Sequence, residues 1–403
     1  MSEVKTKVPQ LRFPGFSDEW EEKKLGNISK LTSSKRVYLD DYVQSGIPFY
    51  RGKEISELQK GLTPKDILYI SNESYEQYKS KYGIPQVDDI LITAVGTLGN
   101  ILRIKDRKPF YFKDGNLIWI KDIYEYSNFL EILLEVKNKE IQKTSIGSTQ
   151  RALTMVELRK LLLPFPAKQE QQKIAAFLTA VDTKIEQLST KQVLLGEYKK
   201  GLMQQIFSQA IRFKADDGST FPEWKEKKLG DIVRFENGKG HEQNISKDGK
   251  FIVVNSKFIS SQGRVKKYTD TQKSPLNFGD VVMVMSDVPN GKALAKCYYI
   301  EQDNLYSLNQ RICGLKHKLA DTKFIYYRIN RHKYFLSFDS GVGQTNLKKM
   351  EILNCPLNIP TDIKEQAKIA NFLSSVDNKI EQMGKQLDES KQFKKALLQQ
   401  MFV

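Results

Sequence analysis

The residues of this chain with the widest chemical repertoire are three histidines and three cysteines, and their spacing gives them little to do. His241, His317 and His332 come with no Cys-x-x-Cys or His-x-x-x-His pair, so no metal site is expected. Cys297, Cys313 and Cys355 all fall in the second half, which argues against a disulfide framework and for the cytoplasm. A phosphate loop is missing as well. Gly46 and Gly52 stand one residue too far apart, and Glu54, not a hydroxyl residue, follows Lys53. Gly291-Lys292 lacks both the upstream glycine and the following hydroxyl. The Asn-Pro-Pro-Tyr run of amino-methyltransferases and the Gly-x-Gly-x-x-Gly dinucleotide turn are absent too. Asp88-Asp89 and Asp216-Asp217 are carboxylate pairs in turn-like settings. The chain is therefore expected to catalyse nothing by itself.

What remains are polar and basic loops. Arg51-Gly52-Lys53 follows a β-like run, and Lys257 occupies the matching place in the second half. Thr97 and Asn100, with Arg103 beyond, follow the apolar run 90–95; Asn290 and Lys292 follow the run 281–285. Two Gly-x-x-Gln loops carry Thr149, Gln150 and Arg151 in one half and Gln344, Thr345 and Asn346 in the other. Arginine and lysine pair with guanine, asparagine and glutamine with adenine, and glycine lets backbone approach closely. Lys323 and Arg328 belong to a further basic cluster that suits phosphate. Sixty-four Lys plus Arg against 48 Asp plus Glu give a net charge of +16, which fits a polyanionic partner.

These loops sit on a duplicated frame. Lys173 to Gln187 returns as Lys368 to Gln382, an offset of 195 residues, and Lys199 to Phe207 returns as Lys394 to Phe402. Trp20 to Ile28 matches Trp224 to Ile232, and Phe129 matches Phe324. Between these edges the halves diverge. Such a period means two whole domains, each followed by the same long segment. In the first segment Ile174, Val181, Leu188, Leu195 and Leu202 recur every seven residues, with Phe177, Leu178, Ile185, Tyr198 and Ile206 beside them. In the second, Ile369, Val376, Met383 and Leu397 recur, flanked by Phe372, Leu373, Ile380, Leu387, Phe393 and Met401. Heptad stripes on two equal segments predict two helices paired as a coiled coil, antiparallel because a domain precedes each one. Gly196 and Gly201 predict a weak point in the first helix, each costing about 1 kcal/mol against alanine.

The expected division is a first domain at 1–167, a helix at 168–208, a second domain at 209–361 and a helix at 362–403. The bodies read as α/β, mixed α+β, with helices at Asn128–Lys139 and Asp321–Phe335. No apolar run approaches the roughly 18 residues of a membrane span.

Two unlike domains, each followed by a near-identical helix, resemble the specificity subunit of type I restriction–modification systems. The resemblance covers essentially the whole chain. It rests on the Trp-x-x-x-x-Leu-Gly runs (Trp20 to Gly26, Trp224 to Gly230), the Gly-x-x-Gln loops, the helix starts Gln172 to Leu178 and Ala367 to Leu373, and the pairs Glu170-Gln171 and Glu365-Gln366. It implies that each domain reads half of a bipartite, asymmetric site on double-stranded DNA, and that the helices set the gap. It also implies two methyltransferase subunits and further restriction subunits as partners, which would carry S-adenosylmethionine, ATP and Mg. A stand-alone or fused DNA methyltransferase or nuclease is the rival reading, and the missing motifs oppose it. A coiled-coil adaptor that binds no DNA is a second rival, opposed by the charge and the loops.

Overall fold

The computed structural model describes residues 8–147, 151–289 and 291–403. The chain forms two compact units, and their limits cut across the division drawn from sequence. One comprises Met1–Ser189 with Lys385–Val403, the other Thr190–Gly384. Each unit thus owns part of both long helices, Lys168–Phe207 and Ile363–Gln400.

The divergent bodies share one topology. In the first unit an antiparallel sheet runs in the order Lys30–Thr32, Leu117–Lys121, Ile90–Thr93, Ile101–Arg103. In the second the order is Val233–Asn237, Ile312–His317, Val281–Val284, Cys297–Tyr299. A second sheet follows in each. It joins Ile47–Tyr50 to Tyr111–Phe112 in parallel, and likewise Phe251–Val254 to Tyr306–Leu308. The second unit adds the strand Pro275–Leu276 at the edge.

Strand alternation explains why the central runs are apolar throughout. Ile90 and Ile92 point into the core shared with the helix Ser127–Val136, while Leu91 points into another with Ile55 and Phe112. Val281 and Met283 face one core of the second unit, and Val282 and Val284 the other. Each strand is a wall between two cores, so both of its faces must be apolar. The expected helices form but are interrupted. Ser127–Val136 is followed by Asn138–Lys143, and Thr322–Ile329 by Lys333–Leu336 after Arg331 takes a positive φ of 57°.

The repeated edge residues build the frame. Trp20 lies edge-on to Phe129 at 5.8 Å and to Phe402 at 6.0 Å between ring centroids. Trp224 meets Phe324 at 6.3 Å, and Phe324 meets Phe207 at 6.0 Å. Arg12 makes two 2.7 Å hydrogen bonds to the buried Glu170 carboxylate, and Arg212 donates to the buried Glu365. The neighbouring glutamines tie each long helix to its domain. Gln171 accepts from Tyr126 N–H at 3.0 Å, and Gln366 from Asp321 N–H at 2.9 Å. Losing one partner of a buried ion pair costs about 3–5 kcal/mol, so the Glu-Gln pair anchors each helix start.

Within each unit the helix segments run antiparallel. In the second, Gln192 touches Gly384, and seven residues on, Lys199 pairs with Asp377, seven residues back. In the first, Lys394 pairs with Asp182, and Ile174 shares a core with Leu397, Met401 and Phe402. The first helix continues through Gly196 and Gly201, so no break occurs there. The expected stripe faces inward, with Tyr198 as its exception. Ile174, Leu178, Leu188, Leu202 and Ile206 are buried, Phe177, Val181, Ile185 and Leu195 half-buried, and Tyr198 exposed. Tyr198 shares its row with Lys184, Lys191 and Gln205, which belong in water. In the second helix Ile369, Leu373, Val376, Leu387 and Leu397 are buried, Phe372, Ile380 and Met383 half-buried, and Phe393 exposed.

Candidate nucleic-acid interface

The fold brings together loops that are far apart in sequence. In the first unit Val95 and Ile146 both bridge to Ala152, and Leu153 N–H donates to Ala94 O at 2.9 Å. The loop after the central strand therefore pairs with the loop carrying Arg151. In the second unit Ser286–Asp287 pairs with Thr345–Asn346, and Leu347 N–H donates to Met285 O at 2.8 Å. Gln344 donates to Ser286 Oγ at 2.5 Å. Each unit thus presents the same loop pair at the same end of the same sheet.

A third segment joins in each case. Gly52 packs beside Thr93 and Val95, and Asn100 bonds Ser56 on the helix Gly52–Gln59. In the second unit the helix Ser256–Ser260, capped by Asn255, packs on Val281–Val284 and carries the exposed Lys257.

The side chains fall into two groups. Lys53, Thr97, Arg151, Lys257, Lys292, Gln344 and Asn346 are exposed. Lys53 lies 3.2 Å from Asp66, and Arg151 donates to Gln142 O at 3.0 Å. The others are engaged within the protein. Arg51 grips Glu54 at 2.6 Å, and this pairing with backbone N–H donors outweighs burial and holds the Glu54 carboxyl below its ordinary range. Arg103 is shared between Asp88 at 2.7 Å and Glu131 at 3.0 Å. Thr345 is buried and donates to Asp339 at 3.1 Å. Thr149, Gln150 and Asn290 lie outside the described residues.

A sequence model of the type I restriction modification DNA specificity domain matches residues 17–195 and again 222–391. The chain belongs to this family. The Methanocaldococcus jannaschii type I restriction enzyme MjaVIII specificity subunit is 22% identical over 418 residues, 96% of this chain and 92% of that protein. A Haemophilus influenzae relative is 32% identical over 162 residues, spanning 40% of this chain and 39% of the relative's length. Among solved structures, the type I restriction–modification S subunit from M. genitalium superposes with a TM-score of 0.63 at 16% identity. That match covers 98% of this chain and 99% of the other.

In this member of the specificity family, the basic cluster of the second unit is placed differently from the exposed loop residues. Arg328 and Lys323 lie on the helix Thr322–Ile329. Arg328 is half-buried. Its guanidinium lies over the Phe207 ring at 5.2 Å, its Nε has no partner, and burial lowers its pKa. Lys323 lies over the Tyr299 ring at 5.4 Å. Their helix packs on the sheet and supports the core, because Phe324, Ile325, Tyr327 and Ile329 are all buried. Sequence reasoning missed Asp287 and the exposed Lys348 and Lys349. An aspartate closing an apolar strand before Pro-x-Gly was the available signal for Asp287.

Among the described residues no group of His, Cys, Asp and Glu could hold a metal, and no helix is long and apolar enough to cross a membrane.

Proposed function

We propose that the chain reads a two-part, asymmetric site on double-stranded DNA, one part with the loop pair of each unit. In this reading it directs methylation and cleavage by methyltransferase and restriction subunits in the cytoplasm. The observation that carries the reading is the repetition of the loop pair on one topology with different side chains: Arg151 beside the 95–100 loop, Gln344 and Asn346 beside the 286–292 loop. A common frame with unlike reading heads suits two unlike half-sites. Exposed Lys53, Lys257, Lys292, Lys348 and Lys349 would meet phosphates, whose neutralisation is sequence-independent and salt-sensitive. S-adenosylmethionine, ATP and Mg belong, in this reading, to the partner subunits.

The test is methylation mapping in cells carrying the chain with its methyltransferase subunit. A bipartite motif is expected, with one half changed when residues 212–361 are replaced by those of another specificity subunit. A continuous motif, or methylation by the purified chain alone, would overturn the reading.

A further inference from the structure

Two exposed valines lie on the paired loops of the second unit. Val342 is 85% exposed and Val288 64% exposed. Apolar side chains scattered singly over a surface need no explanation, but these two occupy the loops that the fold joins through Ser286–Asp287 and Thr345–Asn346.

The backbone around each valine is braced. Val342 stands between Gly341 and Gly343, whose φ angles of 72° and 78° suit glycine. Asp339 accepts from Gly341 N–H at 3.0 Å and from Thr345 Oγ1 at 3.1 Å, and Ser340 Oγ donates to Val342 O at 3.1 Å. Asp287 closes the other loop. Its carboxylate accepts from the N–H groups of Val288, Ala293 and Leu294 at 2.9, 2.6 and 2.9 Å. Two held loops therefore offer β-branched, rigid side chains to solvent, next to Gln344 and Asn346 and among the exposed Lys292, Lys348 and Lys349.

We propose that Val342 and Val288 are specificity-determining residues that take the 5-methyl group of a thymine in the major groove. The proposal rests on the DNA-reading function above and assigns the apolar part of the second half-site. Thymine alone among the four bases presents a methyl group in that groove, and apolar side chains recognise it. The polar neighbours supply hydrogen bonds to adjacent base edges, and the lysines attract the backbone.

The experiment uses the assembled complex and a duplex carrying the site found by methylation mapping. Binding is followed by fluorescence anisotropy. Each thymine of the half-site read by the second unit is replaced in turn by uracil, which lacks the methyl. At one position the wild-type complex should bind about fourfold more weakly, the equivalent of ~0.8 kcal/mol for one buried methyl. Val342→Ala or Val288→Ala should abolish that difference while leaving uracil-containing duplex bound as before. Both valines are exposed, so the variants should fold. The proposal falls if the half-site holds no thymine, if uracil has no effect anywhere, or if both variants lose affinity as the wild type does. It also falls if the variants alter only assembly with the methyltransferase subunits, which would make the valines a protein contact. A wild-type complex that does not distinguish the mapped duplex from one with a scrambled half-site would instead refute the DNA-reading function itself.

Discussion

Lys394 reaches Asp182 across the paired helices of the first unit at 2.6 Å, and Lys199 reaches Asp377 in the second unit at the same distance. Each residue of one pair is the repeat equivalent of a residue in the other. The duplicated sequence thus encodes one contact twice, with donor and acceptor on opposite helices each time. Such a contact fits only the antiparallel register.

The first prediction follows from that pair. Asp182→Lys places two ammonium groups together and should destabilise the first unit by about 1 kcal/mol, the scale of a partly exposed ion pair. Adding Lys394→Asp should restore most of the loss. Urea denaturation of the two variants measures it, and a double variant no more stable than the single would exclude a direct pairing.

Phe402→Ala should cost the first unit roughly 3–5 kcal/mol, because the ring is buried between Trp20 and Phe129. Phe207→Ala should cost the second unit less, since Phe207 is only partly buried. Scanning calorimetry should show a different transition lowered in each variant. Both variants lowering the same transition would contradict the division into units.

Arg151→Ala and Gln344→Ala should each weaken recognition at one half-site and spare the other. Loss of a good base contact costs about 1–3 kcal/mol of discrimination. Competition between duplexes with one altered half-site reads the effect. A uniform loss across all sequences would move these side chains to the phosphates.

His332 gives a pH dependence. Burial first, then the nearby Arg328 and Lys333, push its pKa down to about 4 from an ordinary 6.5. The neutral ring caps Tyr334 N–H at 3.4 Å through Nδ1 and faces Cys355 Sγ at 3.9 Å. Between about pH 6.5 and 4 the unfolded chain takes up a proton that the folded chain refuses, so stability falls as pH drops through that window. The second unit should melt lower at pH 5 than at pH 7, and His332→Gln should shrink the difference. Equal pH sensitivity in the variant would show that other groups govern it.

The frame was legible because its contacts demand particular groups. Tryptophan on phenylalanine, arginine on a buried glutamate and glutamine on a backbone amide each need their own residue, so Trp20, Glu170 and Gln171 recur as Trp224, Glu365 and Gln366. The common topology of the bodies was not legible. Ile90 to Thr93 and Val281 to Val284 do the same work between two cores, and many apolar residues can do it. The heptad reading included Tyr198 and Phe393 because it counted apolar residues and ignored the lysines sharing their rows. On the loops, sequence identified residue types suited to bases. It could not show that Arg51 and Arg103 are already bound to carboxylates.

The second unit is one continuous run of chain, while the first needs Lys385–Val403 to fill its core. A ribosome makes those parts in a fixed order. During synthesis, Thr190–Gly384 can finish folding while Met1–Ser189 still waits for Leu397, Met401 and Phe402. A chain cut short after Gly384 would carry a finished second reader and an unfinished first one, with the apolar face around Trp20 and Phe129 open to chaperones and proteases. Recognition of the two half-sites would then depend on synthesis reaching Lys385–Val403, because the first reader is closed by a segment made after the whole of the second.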